Sequence, residues 1–216
     1  MLEQVDLTQK LDREEYKSLI SDMRLKLGEL QRQAKNQKIP VIVVFEGWDA
    51  AGKGTLINQL MQALDPRGYN VFPTNPPVEE EQLRPFLWRF WCRTPEQTRI
   101  AILDRSWYGR VLVERVDKVV PKKQWSTAYE EIKAFERQLA DAGNVIVKFF
   151  LHITKKEQKK RFEKIESDPA LRWKVTKTDW RHHRQYEKYL AAVEDMLAKT
   201  DTSYGPWTIV EAHDRR

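Results

Sequence analysis

Lys53 is the residue around which chemistry can be built. It lies in Gly47-Trp48-Asp49-Ala50-Ala51-Gly52-Lys53-Gly54-Thr55, after the apolar run Val41-Ile42-Val43-Val44-Phe45 and before the helix-like Leu56 to Leu64. A short β-branched run of this kind suits a strand buried on both faces of a parallel sheet. Strand, glycine-rich turn, lysine and helix in that order predict a phosphate-binding loop. Gly47 and Gly52 permit a tight turn, so that successive N–H groups from Ala50 and Ala51 to Gly54 and Thr55 can aim at one anion. Lys53 adds a point charge, and the helix N-terminus adds its partial positive end.

Two departures from the usual loop carry information. Ser or Thr normally follows the lysine and holds magnesium through its hydroxyl; here Gly54 follows, and Thr55 comes one step later. The loop also contains a carboxylate, Asp49, which repels phosphate unless a cation lies between them. Asp49 therefore reads as a magnesium ligand or a catalytic carboxylate. A ligand-free strand–helix turn is the plain alternative, and the complete order of strand, glycines, lysine and helix argues against it.

A second group is Leu103-Asp104-Arg105-Ser106-Trp107-Tyr108. A strand ending in Asp beside such a loop can supply a carboxylate to magnesium or to its water shell. Arg105 follows at the carboxyl end, where ligands of parallel sheets bind, and a guanidinium there can neutralise charge on a moving phosphoryl group. Phosphoryl transfer asks for positioning, a metal and fixed positive charge rather than covalent chemistry. Lys53, Asp49, Asp104 and Arg105 form the minimum set.

Two further stretches supply candidates. Residues 155–177 are strongly basic and read as a lid. Lys155, Lys159 and Lys160 are equally well explained as a solvated helix face, whereas Arg161, Arg172 and Lys174 are the better phosphate contacts. Residues 74–93 follow the second strand, where an acceptor is expected: Thr74, Glu79, Arg84, Trp88 and Arg89 are nucleotide-binding candidates, with Arg110 and Arg115 further on. Trp88 and Trp91 can stack on a base or fill core, and core is the safer reading. Arg84, Arg89 and Arg93 can meet an acceptor phosphate or pair with Glu79 to Glu81. The four histidines, at 152, 182, 183 and 213, show no metal-ligand spacing, and Cys92 is assigned no role.

These residues need a scaffold. The chain has 216 residues, 41% hydrophobic and 32% charged, which suits one soluble α/β domain over 1–216. No apolar run approaches the roughly 20 residues of a membrane helix, and MLEQVDLTQK lacks the apolar core of a secretory signal. The single cysteine excludes an intrachain disulfide and fits a reducing cytoplasm. A net charge of +6 favours polyanionic partners, if the charge is clustered. The pattern predicts helices at 12–37 (with Asp12 and Glu15 as a capping box), 79–93, 108–116, 124–141, 155–165 and 178–199. Strands are predicted at 41–45, 70–73, 100–104, 145–151 and 207–210. The first helix is expected to pack across the sheet or pair with another subunit. Strands alternating with helices predict a parallel sheet covered on both faces. A closing helix is expected beyond Arg216, so the chain reads as trimmed or as part of a longer polypeptide.

GWDAAGKG, DPRGY, PVEEEQLRPFLWRFW, DRSWYGRVLVERV, FERQLADAG, RWKVTKTDW and PWTIVEA together resemble the polyphosphate kinase 2 family, most of all its class II, polyphosphate:AMP phosphotransferase branch and the carboxyl-terminal catalytic half of its two-domain members. The resemblance runs from the first helix to the chain end. It implies a thymidylate-kinase-like P-loop fold with a basic lid, magnesium (or manganese) as cofactor, and transfer of a terminal phosphate from inorganic polyphosphate to AMP or ADP. It implies essential roles for Asp49, Lys53, Asp104 and Arg105, a lid position for Arg161, Arg172 and Lys174, and a place beside the polyphosphate path for Arg67. A homo-oligomer is expected, since long first helices in such kinases often pair subunits, and a cytoplasmic protein with neither nucleic acid nor membrane as partner is expected beside it. The competing readings are an ATP-dependent nucleoside monophosphate kinase and a non-enzymatic polyanion-binding module. The paired carboxylates argue against the module.

Overall fold

The apolar run after Pro40 becomes the central strand of a five-stranded parallel sheet. In the computed structural model, which describes residues 2–214, β1 (Val41–Gly47) buries every residue between its ends. The other strands are β2 (Tyr69–Pro73), β3 (Ile100–Asp104), β4 (Val145–His152) and β5 (Trp207–Glu211), in the order β2-β3-β1-β4-β5. The helices are α1 (Arg13–Asn36), α2 (Lys53–Ala63), α3 (Glu79–Gln82), α4 (Trp88–Trp91), α5 (Val113–Val116), α6 (Lys122–Asp141), α7 (Lys155–Glu166), α8 (Lys177–Arg184) and α9 (Tyr186–Thr200). The helix expected beyond Arg216 lies outside the described residues.

This order fixes where a ligand can enter. The connection leaving β1 runs to one side of the sheet, and the connection leaving β3 runs to the other. Right-handed crossovers then put α2 on one face and the helices after β2 on the opposite face. The carboxyl ends of β1 and β3, paired at Phe45 and Asp104, flank the switch point where open α/β sheets bind ligands.

Three expected helices are broken. Residues 79–93 form only the short α3 and α4, because Pro85 between them has no N–H to continue a helix. Residues 178–199 divide into α8 and α9 at Gln185, whose φ of −97° and ψ of 15° leave the helical region. The break lets α9 bury Tyr186, Ala192, Val193 and Met196, while α8, with no buried residue, crosses elsewhere. Residues 108–116 become one 3-10 turn, Trp107–Arg110, and then α5. Here Trp107 and Tyr108 are drawn inward: the indole N–H (3.0 Å) and the phenol (2.6 Å) donate to Glu136. The Lys148 ammonium reaches Glu136, Tyr108 and the Thr200 carbonyl at 2.9 Å each, so all its donors are satisfied.

The first helix matches its expected span, and Asp12 caps it by accepting the Glu14 N–H, rather than the Glu15 N–H that a capping box uses. It packs on α2 rather than across the sheet, with Arg24 donating to Gln59 and Gln62, and Leu19, Met23 and Leu30 of its apolar stripe remain exposed.

Candidate phosphate-binding site

The loop between β1 and α2 is shaped by glycine and by close strand contact. Gly47 has φ +142°, and a Cβ there would meet the Leu151 carbonyl oxygen of β4 at 2.5 Å. Gly52, at φ +108°, caps α2 in the left-handed region. Among the described residues no protein acceptor meets the N–H groups of Gly52, Lys53, Gly54 and Thr55, the donors a helix N-terminus leaves free for an anion. Lys53 is buried and folds back onto the Gly47 and Trp48 carbonyls at 2.9 and 3.0 Å. Burial first, then the nearby Arg105, hold its pKa below the ordinary lysine value.

The turn after β3 faces this loop. Arg105 has φ +63°, unusual for a side-chain-bearing residue. Its N–H donates to the Phe45 carbonyl, and its own carbonyl accepts the Thr74 hydroxyl at 2.8 Å. Pinned on both sides, it places its guanidinium 2.5 Å from Asp49 Oδ1. His182 of α8 lies 3.5 Å from Asp49 Oδ2 and 2.9 Å from Asp117. Burial raises the Asp49 pKa, but His182, Arg105 and Lys53 outweigh it and keep the carboxylate ionised. Burial likewise opposes a charge on His182, and the two carboxylates overcome it, so its pKa is raised.

Asp104 differs from Asp49. Its carboxylate carries no hydrogen bond from the described residues, and it lies near enough to Lys53 and Arg105 to bear on their charge. A hard oxygen donor beside a phosphate loop fits magnesium, which keeps several waters and takes one or two carboxylates plus substrate phosphates. Asp49, held by Arg105 on one oxygen and facing His182 on the other, retains lone pairs that could join it. No three acidic, histidine or cysteine groups converge into a closed metal cage among the described residues.

The sequence candidates divide. Gly47, Asp49, Ala50, Ala51, Gly52, Lys53, Gly54, Thr55, Thr74, Asp104 and Arg105 meet at the carboxyl edge of the sheet. Arg67 does not: it precedes β2, at the amino edge, and pairs with Asp65 at 2.8 Å. Arg161 lies behind the loop instead of over it, donating to the Ala50, Ala51, Ala212 and His213 carbonyls. By holding the loop's carbonyls it leaves the amides to face outward.

The remaining arginines have protein partners. Arg89 is buried against Glu81 and the Asn75 carbonyl. Arg93 also pairs with Glu81. Arg110 binds Glu114 and Gln124. Arg115 joins Tyr129 of α6 to Asp195 of α9. Arg89, Arg110 and Arg115, expected on the nucleotide side, are thus each held by protein partners here. Arg84 stacks over Trp88 at 4.3 Å and pairs with Glu80, and Glu79 starts α3 in solvent. Arg172 and Lys174 are exposed in a one-turn helix after α7. Lys155 and Lys159 pair with exposed glutamates, as a solvated face would, and Lys160 with the half-buried Glu157.

Sequence reading missed four polar groups. Glu46, 4% exposed, accepts both the N–H and the hydroxyl of Ser106 at 2.8 Å, tying β1 to the Arg105 turn. A lone carboxylate inside an apolar run was its available signal. Gln158 of α7 donates to the Asp49 carbonyl, and His182, itself held by Asp117, meets the Asp49 side chain, contacts that no local pattern reveals.

A lysine-bearing loop at the switch point of a parallel sheet, faced by an Asp-Arg turn, defines a P-loop α/β protein. The chain belongs to the polyphosphate kinase 2 (PPK2) family, whose profile matches residues 10–216. It is 44% identical over 216 residues to the polyphosphate:AMP phosphotransferase of Pseudomonas aeruginosa, covering all of this chain and 44% of that protein. It is 35% identical over 207 residues to the GDP-polyphosphate phosphotransferase of Mycolicibacterium smegmatis, covering 96% of this chain and 72% of the relative. A crystal structure of a polyphosphate kinase 2 from Pseudomonas aeruginosa superposes with a TM-score of 0.96 at 44% identity, over 99% of this chain and 47% of that one. The chain thus spans less than half the length of its AMP-named relative. No helix among the described residues is long and apolar enough to cross a membrane.

Proposed function

We propose that this chain transfers the terminal phosphate of inorganic polyphosphate to AMP, giving ADP and a polymer one unit shorter. The observation that carries the reading is similarity along the whole chain to a polyphosphate:AMP phosphotransferase, at higher identity than to the GDP-named relative. The free loop amides, Lys53 and Arg105 support it as a polyanion's seat.

In this reading an oxygen of the AMP phosphate attacks the terminal phosphorus, and the bond to the bridging oxygen breaks. The loop amides and Lys53 hold the phosphate that is transferred. Arg105 turns from Asp49 to the equatorial oxygens and offsets their charge. Asp104, joined by Asp49, would hold magnesium, which supplies charge neutralisation between the donor phosphates. Arg172 and Lys174, exposed after α7, are free to meet the polymer, whose binding weakens with salt through counterion release. Thr74, Glu79, Arg84 and Trp88, on the segment leaving the carboxyl end of β2, are the acceptor side. The exposed Leu19, Met23 and Leu30 of α1 support pairing with another chain.

The test is Asp104→Asn. It is expected to abolish ADP formation while the melting temperature stays near wild type. A near-normal rate contradicts the assignment.

A further inference from the structure

Three consecutive residues near the end of α8 tie together three separate elements. Arg181 pairs with Asp117, directly after α5, at 2.9 Å. His182 lies between Asp117 and Asp49, at 2.9 and 3.5 Å. His183 meets Gln158 of α7 at 2.8 Å, and the other end of that amide donates to the Asp49 carbonyl at 3.2 Å. Asp49 is therefore gripped from the α8 side through both its side chain and its main chain. The His182 ring is itself fixed against Tyr189 of α9, with centroids 5.1 Å apart.

Asp49 has two side-chain partners, Arg105 on one oxygen and His182 on the other. They differ in what binding does to them. The Arg105 side chain is 44% exposed and faces the opening where a phosphate would lie, whereas the His182 side chain is 12% exposed and anchored from behind by Asp117. A phosphate can compete for Arg105 but not for His182. We propose that His182 is a positioning residue that keeps the Asp49 carboxylate in place when Arg105 leaves it for a phosphate, with Asp117 orienting the imidazole for that task. The inference rests on the phosphotransferase reading for its kinetic consequence alone; the anchoring itself is structural.

Phosphoryl transfer is sensitive to small misplacements of a charged group near the reacting atoms. A residue acting through Asp49 should change turnover more than substrate affinity. His182→Phe keeps a ring against Tyr189 and removes both N–H groups; His182→Ala removes both features. With polyphosphate and AMP, each variant is expected to lose kcat by about ten- to a hundredfold while KM for polyphosphate stays within about twofold. Asp117→Asn should lower kcat in the same way. The Asp117→Asn/His182→Phe double variant should be no slower than His182→Phe, because residues acting as one unit are non-additive. Unchanged kcat in His182→Phe, or multiplying effects in the double variant, overturns the inference.

A crystal structure of His182→Phe separates this outcome from failure of the functional reading, since it needs no activity. Asp49 is expected in a new rotamer or in two conformers. A single, unmoved Asp49 overturns the inference even if the wild type is an active kinase. A displaced Asp49 in a protein inactive with polyphosphate upholds the anchoring and sinks only the functional reading.

Discussion

Arg105 and Asp49 face each other across 2.5 Å, so a guanidinium and a carboxylate beside the phosphate-binding loop neutralise one another. The pair joins the β3 turn to the β1 loop and keeps two opposite charges poised where a polyanion would enter. Arg105→Lys keeps the charge but loses the planar fork. The expected result is a kcat lower by about a hundredfold with little change in melting temperature. Steady-state kinetics beside a thermal melt checks it.

The two loop glycines should differ in what they tolerate. A Cβ at Gly47 would lie 2.5 Å from the backbone oxygen of Leu151, which cannot move without breaking the β1–β4 pairing. Nothing lies within 4 Å of the corresponding position at Gly52, where only the positive φ resists a side chain. Gly52→Ala is expected to cost about 1 kcal/mol, and Gly47→Ala clearly more. Denaturant titration of both variants decides the order.

Arg161 separates a support role from a lid role. Its guanidinium holds four backbone carbonyls, two of them in the loop. Arg161→Lys cannot span them and should reduce both stability, by about 1–3 kcal/mol, and turnover. A lid residue would lower turnover alone, with an unchanged melt.

Lys148 and Glu136 form an ion pair with both side chains fully buried. Lys148→Met leaves Glu136 charged without its cation and should destabilise by about 3–5 kcal/mol. Adding Glu136→Gln keeps acceptors for Trp107 and Tyr108 and removes the stranded charge, so the double variant should recover much of the loss. Urea unfolding of the set tests this.

Burial pushes the Glu46 carboxyl above the ordinary glutamate value, against the lowering effect of Ser106, Arg105 and Lys53. A raised folded pKa means its stabilising contribution is complete below about 4.5 and is lost as pH rises through the folded pKa. Glu46→Gln removes that dependence while keeping an acceptor for Ser106. The stability of the variant relative to wild type should therefore rise on going from pH 4.5 toward neutrality. Melts at both ends of that range read it directly.

What the sequence made legible follows from how local each signal is. β1, β3 and β4 are short apolar runs, and the loop follows β1 without interruption, so the strand pattern and the Lys53 site can be read directly. Asp104 and Arg105 come to that site because β3 pairs with β1, which the parallel-sheet pattern implies. The arginines were less legible. Arg89, Arg115 and Arg161 carry the charge a polyanion site needs, but each is matched to carboxylates or carbonyls brought close only by folding, whereas Arg110 pairs with Glu114 four residues on. The end of the sheet that Arg67 occupies was not legible, because it depends on the direction of β2. His182 was invisible because its partners lie just after α5 and in the loop, far from it in sequence.

The central claim is that the loop seats an inorganic polymer as phosphate donor. The most direct measurement supplies AMP and magnesium with polyphosphate as the sole donor, then with ATP as the sole donor, and follows ADP by chromatography. ADP formed with polyphosphate alone, and lost in Asp104→Asn, is the predicted result. ADP formed only when ATP is present would contradict the account and point to an ordinary nucleoside monophosphate kinase.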